Sequence, residues 1–304
     1  MLYRNDVTTR EISQFIERIY GKYYCPTTVC NIAKVTEEEL AKFHHRKIHY
    51  RYVAIFMDAT YVNLRRDSVA KDAIHVIMGL KEDGTKEVLN YAIYTSETAS
   101  NYLYMLEDLK KRGLKQALIF ISDGIPGIRE VIARVYPKTL HQSCWVHIDR
   151  RIYSSVRSKE RKQLMLDLKR VYTRPTAEDA ERELNVFIDK YKKLYPRIEK
   201  VFANRDSLFS FYKMPVEIRN SVYTTNIIEN NNHGLKRQVK IKEQFPNEDS
   251  VDRFCCSYYA NLNARASKCH KTQGTLYSRM RAAKAEINEL FIEMYGEEEA
   301  FSEN

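Results

Sequence analysis

The chain has 304 residues, with 50 Lys+Arg against 40 Asp+Glu, a formal charge of +10 and 44% hydrophobic residues, enough for one large domain or two smaller ones around a buried core. An aromatic content of 12% excludes a disordered chain, and 9 Gly with 7 Pro exclude a collagen-like or linker-like composition. No apolar run approaches the ~18 residues of a membrane span, the first residues carry no charged-then-apolar leader pattern, and six scattered cysteines point to a reducing cytoplasm rather than a disulfide framework.

In chain order, residues 7–44 are expected to form three short helices. Thr8 to Glu11 reads as a capping box, with Ile12, Phe15, Ile16 and Ile19 as one apolar stripe and Gly21 as its stop. Pro26 opens a second helix, and Thr36 to Glu39 is a second capping box opening a third. Three such helices fit a helix-turn-helix or a plain helical packing module equally well. Strands are predicted over 51–64, 73–80 and 87–94, with Glu82-Asp83-Gly84 as a hairpin turn. A helix over 100–112 with Gly113 as its stop, a strand over 116–121, a helix over 126–135 and a strand over 139–146 follow. The order β-β-β-α-β-α-β is that of a mixed α/β sheet with helices on its faces. Residues 151–212 carry only helical spacing, a further helix spans 226–240, and the chain from 251 onward is mostly helical.

The positive charge is concentrated. Residues 151–220 hold 17 Lys+Arg against 10 Asp+Glu, residues 221–284 hold 11 against 5, and the last twenty hold none against 7. A basic half fits a polyanion such as nucleic acid, and it equally fits an ordinary solvated surface.

Four places could carry chemistry. Asp58 interrupts the apolar strand IFMDATYV, where a carboxylate needs compensation by a metal ion, backbone or Arg. Asp123 lies where a buried strand ends, the place where ligand groups of open sheets collect, although Ser-Asp-Gly is also an ordinary turn. Glu229 lies in TTNIIENNN, where Asn226 and Glu229 also have capping-box spacing. Cys144 and His147 lie three apart, but a zinc site would need two more ligands. Trp145, the only tryptophan, is either a core residue or a base-stacking one. Two acids on neighbouring strands and a Glu on a late helix could hold two Mg²⁺ ions for phosphoryl transfer, with the helical segment as an insertion between them.

MDATYV around Asp58, SDGIPG around Asp123, CWVHIDRR after the fifth strand and YTTNIIENNNHGLKR around Glu229 stand in a familiar order and approximate spacing. Together they resemble the mutator-type transposases of bacterial insertion sequences, over about residues 7–265; SETASNYLYMLEDLKKRGL and FPNEDS resemble that family as well. The resemblance implies a ribonuclease-H-like core and a DDE triad of Asp58, Asp123 and Glu229 holding Mg²⁺ or Mn²⁺, two ions in all. It implies the following organisation: 1–50 as a helical, helix-turn-helix-like remnant of a DNA-binding region, 51–150 as the first part of the core, 151–220 as an all-helical insertion, 221–265 as the second part with the last catalytic helix, and 266–304 as a helical tail. Cys144 and His147 match the family's C-x-x-H motif, associated with packing and activity rather than with zinc.

The implied activity is metal-dependent cleavage and strand transfer at the terminal inverted repeats of an insertion sequence. The expected partners are that DNA and its target, with a homodimer as the active form, in the bacterial cytoplasm and with no membrane. Asn226, His147, Lys236 and Arg237 are the expected substrate-positioning residues. Two departures stand out. Family members usually carry a longer N-terminal region, so a truncated copy or a misassigned start is expected. Asn231-Asn232-His233-Gly234 also stands where relatives more often have a basic residue. The rival readings are a non-catalytic DNA-binding remnant and a nuclease that cuts without joining.

Overall fold

A computed structural model describes residues 13, 14, 17, 18, 25, 37–65, 69–242, 245, 247–268 and 275–297. The helices predicted within 7–34, with the Thr8 capping box, lie almost wholly outside those residues. The third predicted helix is α1, described over residues 37–45.

Five strands follow, interleaved with two helices: β1 (Arg51–Arg65), β2 (Val69–Leu80), β3 (Lys86–Tyr94), α2 (Ala99–Lys111), β4 (Gln116–Ser122), α3 (Ile128–Val135) and β5 (Leu140–Ser143). They form one sheet in the order β3-β2-β1-β4-β5. β2 runs antiparallel to both β1 and β3, while β4 runs parallel to both β1 and β5. This is a five-stranded mixed sheet with helices interleaved, as the predicted order of elements requires. Gly84 makes the β2–β3 turn at φ 82°, a region open to glycine, and its N–H donates to the Lys81 carbonyl at 3.0 Å.

The apolar residues divide between two cores, by strand alternation over 54–57 of β1 and 119–121 of β4. Tyr52, Ile55, Met57, Ala117 and Phe120 face α2 and α3, meeting Leu106, Leu109, Ile128 and Ile132. Phe56, Val62, Leu64, Leu118 and Ile121 face the other way, toward the helices that follow the sheet.

Those helices are α4 (Trp145–Ser155), α5 (Ser158–Tyr172), α6 (Ala177–Tyr191), α7 (Arg197–Val201) and α8 (Val216–Val222), with two 3-10 turns, Arg205–Ser207 and Ser210–Lys213. α6 opens as the sequence suggests, with Thr176 Oγ1 accepting from the Asp179 N–H at 3.1 Å. α9 (Asn226–Lys242) then returns to pack on β1, α10 (Glu248–Lys268) packs on β3, and α11 (Thr275–Ala282) and α12 (Lys284–Tyr295) complete the described chain.

Two expectations need correction. β2 begins four residues before the predicted position 73, because Val69 pairs with Arg65 and extends the β1 ladder. β5 ends at Ser143 rather than 146, because the Trp145 N–H leaves the sheet for the Tyr223 carbonyl (3.1 Å) and the Ile148 N–H already donates to the Cys144 carbonyl (3.1 Å). Val146 and His147 are therefore helical.

Candidate active site

Alternation places Asp58 on the same face as Phe56, Thr60, Val62 and Leu64, under α9. The register pairs Phe56 with Ile121, so Asp58 and Asp123, each two residues further on, stand at the same level of neighbouring parallel strands. Asp58 is 7% exposed. Its Oδ2 accepts from Asn232 Nδ2 at 2.8 Å, and its Oδ1 lies 3.9 Å from His147 Nε2.

Asp123 follows the last residue of β4, beside a cavity of about 300 Å³ whose lining includes Gly124, His147 and Arg151. The Arg151 guanidinium lies over Gly124 so closely that a Cβ there would meet its Nη2 at 2.6 Å. A side chain at position 124 would push that flexible guanidinium aside. Glu97, in the loop before α2, brings a further carboxyl against Asp123. Its Oε2 accepts from the Tyr61 hydroxyl at 3.3 Å.

Glu229 enters from the first turn of α9 and is 8% exposed. The capping-box reading of this segment is overturned. The helix hydrogen bond from the Glu229 N–H goes to the Thr225 carbonyl at 2.8 Å, which makes Thr225 the cap position and Asn226 the first helical residue. The Glu229 carboxylate is instead held by Arg150, whose Nη1 and Nη2 donate to Oε1 at 2.8 Å and Oε2 at 2.7 Å. Thr225 Oγ1 donates to Oε1 at 3.3 Å. Three residues further along the same helix face, Asn232 reaches Asp58 on β1.

The C-x-x-H pair serves this arrangement. Cys144, at the N-terminus of α4, has its Sγ 3.1 Å from Thr225 Oγ1 and accepts from the Thr225 N–H at 3.3 Å. One turn later, His147 Nε2 lies 3.6 Å from Glu229 Oε1 and between the two acids. Burial lowers the His147 pKa against the pull of Asp58 and Glu229. Among the described residues no three His, Cys, Asp or Glu side chains already form a cation site, zinc included.

Of the remaining expected residues, Asn226, Lys236 and Arg237 are exposed on α9 and make no contact with the acids. Asn226 donates its N–H to Thr224 Oγ1 at 3.5 Å. Trp145 is 0% exposed, with Nε1 donating to the Leu208 carbonyl at 2.9 Å and rings of Tyr172, Phe202 and Phe209 around it. A nucleic-acid base cannot reach it, so the stacking alternative is withdrawn. Glu97, Arg150 and Arg151 carry no signal in the sequence, and Asn232 stands out there only as a departure from the family, because each acquires its meaning from a partner on another element.

Burial pushes the Asp58 pKa up to about 6 and the Asp123 pKa to about 7, with Glu97 and Asp58 adding repulsion at Asp123. Both acids ordinarily titrate near 3.8. Between these values the folded chain binds protons that the unfolded chain has lost. The stability these groups allow is therefore present at acid pH and is lost as pH rises through about 6 and 7. Asp123→Asn removes one such charge. In chelator at pH 8 it is expected to melt a few °C above the unaltered chain, an effect of about 1 kcal/mol or more. At pH 4 the two should melt together, and thermal melts monitored by circular dichroism check both.

Donor chemistry fits a hard divalent cation: buried carboxylates repelling one another, and the Asn232 Oδ1, buried without a hydrogen-bond partner among the described residues. The bidentate Arg150 pair, however, occupies both oxygens of Glu229.

Residues 1–266 match the family described as "Transposase, Mutator family". The transposase for insertion sequence element IS905 of Lactococcus lactis subsp. lactis (strain IL1403) is 37% identical over 274 residues, covering 90% of this chain and 70% of the relative. That for IS1201 of Lactobacillus helveticus is 37% identical over 254 residues, covering 83% and 69%. That for IS256 in transposon Tn4001 of Staphylococcus aureus is 26% identical over 267 residues, covering 86% and 68%. Among solved structures, the catalytic domain of Mos1 mariner transposase aligns with 58% of this chain and 92% of that domain, at 13% identity and a TM-score of 0.24.

Proposed function

The chain belongs to the Mutator family of transposases, and from that premise we propose that it cuts and joins DNA with Asp58, Asp123 and Glu229 as a DDE triad. The supporting observation is convergence. Acids from β1, from the end of β4 and from α9 are gathered at one end of the parallel strands, although the helical segment separates the last from the first two. Asp58 and Asp123 would hold Mg²⁺ or Mn²⁺, and Glu229 would complete the set. Such ions, when bound, activate the attacking oxygen and stabilise the leaving one.

The chain's own residues do the positioning. Asn232 fixes Asp58 Oδ2, and Cys144 with Thr225 fixes the start of α9. His147, with burial holding it toward the neutral form, sits beside two acids without neutralising them. Arg151, over Gly124, places a cation at the cavity beside Asp123, where a phosphate could be bound. The basic excess of 151–284 would neutralise further DNA phosphates, giving binding that weakens steeply with salt. Because two ends must be joined, the active form is proposed to be at least a dimer.

Arg150 holds Glu229 closed to a cation, while its own side chain is 57% exposed. A DNA phosphate is an alternative partner for the same guanidinium fork. Arg150→Ala is therefore expected to bind Mn²⁺ without DNA about tenfold more tightly, the scale of one lost charge-assisted hydrogen bond. Isothermal titration in the absence of DNA checks this, and unchanged affinity would contradict it.

The proposed activity is tested by strand transfer on pre-cleaved terminal-repeat DNA with Mg²⁺ or Mn²⁺. Metal-dependent joining is expected. Tight DNA binding with no joining under any divalent cation would favour the non-catalytic reading, and cutting without joining would favour a nuclease.

A further inference from the structure

We propose that the half-exposed ring of Tyr61 stacks on the DNA base beside the reacting phosphate, and that the β1–β2 ribbon carrying it, with Lys71 further along, aligns the cleaved strand; this deepens the triad reading above and rests on it. Strand register builds the ribbon. β4 leaves β1 after the Phe56–Ile121 pair, just before the two aspartates. β1 runs on against β2 as far as the Arg65–Val69 pair. A two-stranded ribbon therefore overhangs the acids, with Tyr61 about 10 Å along the strand from Asp58.

One face of the ribbon is anchored. Val62 and Leu64 are buried in the core under α9, Leu64 bridges to Phe245, and the Phe245 N–H donates to the Asn63 carbonyl at 3.0 Å. The other face opens to solvent along β1. Ile55 and Met57 are buried beneath α2, Ala59 is half-buried, and Tyr61 is 49% exposed. Beyond it Asn63 and Lys71, directly opposed on the two strands, are both exposed.

Tyr61 differs from a loose surface aromatic in being held at both ends. The strand fixes its backbone, and its hydroxyl donates to Glu97 Oε2 at 3.3 Å. Burial and Glu97 raise its pKa, and Asp123 adds to the rise, which puts the ring within electrostatic reach of that acid. A ring already fixed loses little further freedom on binding, and its face accepts any base because stacking is sequence-tolerant. A cleaved DNA end presents an open base face at the reacting phosphate, which is the ligand such a ring fits. Lys71 adds a cation further along the same face, suited to a phosphate and to fixing the strand's register rather than its sequence.

The test uses the full chain and pre-cleaved terminal-repeat DNA carrying 2-aminopurine, whose emission reports stacking, at the terminal or at an interior position. With the unaltered protein the terminal probe is expected to respond and the interior probe to stay unchanged. Tyr61→Ala should abolish that response and weaken binding of the end about tenfold, while Tyr61→Phe, which keeps the ring, should retain both. Lys71→Ala should keep the terminal response and lower the slope of log affinity against log salt by about one. No terminal response with the unaltered protein, or an unchanged response and affinity in Tyr61→Ala, overturns the stacking role whatever the joining activity. A Tyr61-dependent response in a protein that joins no DNA with any divalent cation overturns the triad and leaves the contact standing. Half of the Tyr61 side chain is in solvent, so the alanine variant should melt near the unaltered chain. If it unfolds, Lys71→Ala carries the test, and an unchanged salt slope there removes the ribbon from the DNA.

Discussion

Asp58→Asn and Asp123→Asn are each expected to lower strand transfer by on the order of 10³-fold or more, as expected when several kcal/mol of charge stabilisation in the transition state is lost. The geometry makes the two losses equivalent in kind. Both acids stand at the same level of β1 and β4, Asp58 buried and Asp123 half-buried. Neither has a protein cation as its direct hydrogen-bond partner: Asp58 is met by the amide of Asn232. Each substitution keeps the shape of the side chain and removes only the charge, so folding should survive. A rate measured under single-turnover conditions on pre-cleaved ends reads the effect, with DNA binding as the control that should change little. A variant retaining more than about a tenth of the unaltered rate would place the chemistry elsewhere.

The second large effect falls on stability. Trp145→Ala is expected to cost about 3–5 kcal/mol from lost core burial alone. It also removes one of two donors to the Leu208 carbonyl, which keeps Gln142 Nε2 at 2.9 Å, so this loss adds at most about 1 kcal/mol. Trp145 begins the helix that carries His147, Arg150 and Arg151, and its ring is packed by Tyr172 of α5, Phe202 and Phe209. One side chain therefore ties the end of the sheet to the helical segment. A melting temperature lower by roughly 10 °C is expected, measured by calorimetry, with Trp145→Phe falling between the two. A Trp145→Ala protein that melted normally but bound DNA poorly would return the residue to the base-stacking role that its burial excludes.

Local periodicity made most of the fold legible. The alternation in RYVAIFMDATYVNL places β1 within a residue of its observed end, and Gly84 marks the hairpin. Errors came where a long-range bond decides a boundary. Trp145 leaves the strand because its N–H finds the Tyr223 carbonyl, a partner absent from any local window. Asp58 and Asp123 could be nominated because a carboxylate in or at the end of a buried strand is costly by itself. Glu229 could not be separated from a helix cap by spacing, and only the position of Thr225 resolves that ambiguity. Asn232 and Arg150 were illegible for a further reason. Asn232 reaches Asp58 across 174 residues and Arg150 reaches Glu229 across 79, so neither pairing leaves a trace in local pattern. Glu97 sits in a loop that reads as an ordinary helix start.

The proposed triad requires that one centre built from Asp58, Asp123 and Glu229 hold the cations used in strand transfer. Its most direct test is a crystal structure of the chain on terminal-repeat DNA in Mn²⁺, phased to reveal anomalous scattering from the metal. Manganese peaks are expected in contact with oxygens of Asp58 and Asp123, with Glu229 turned from Arg150 toward them. Manganese bound elsewhere, with those three acids bare and Arg150 still on Glu229 in a complex that joins DNA, would contradict it.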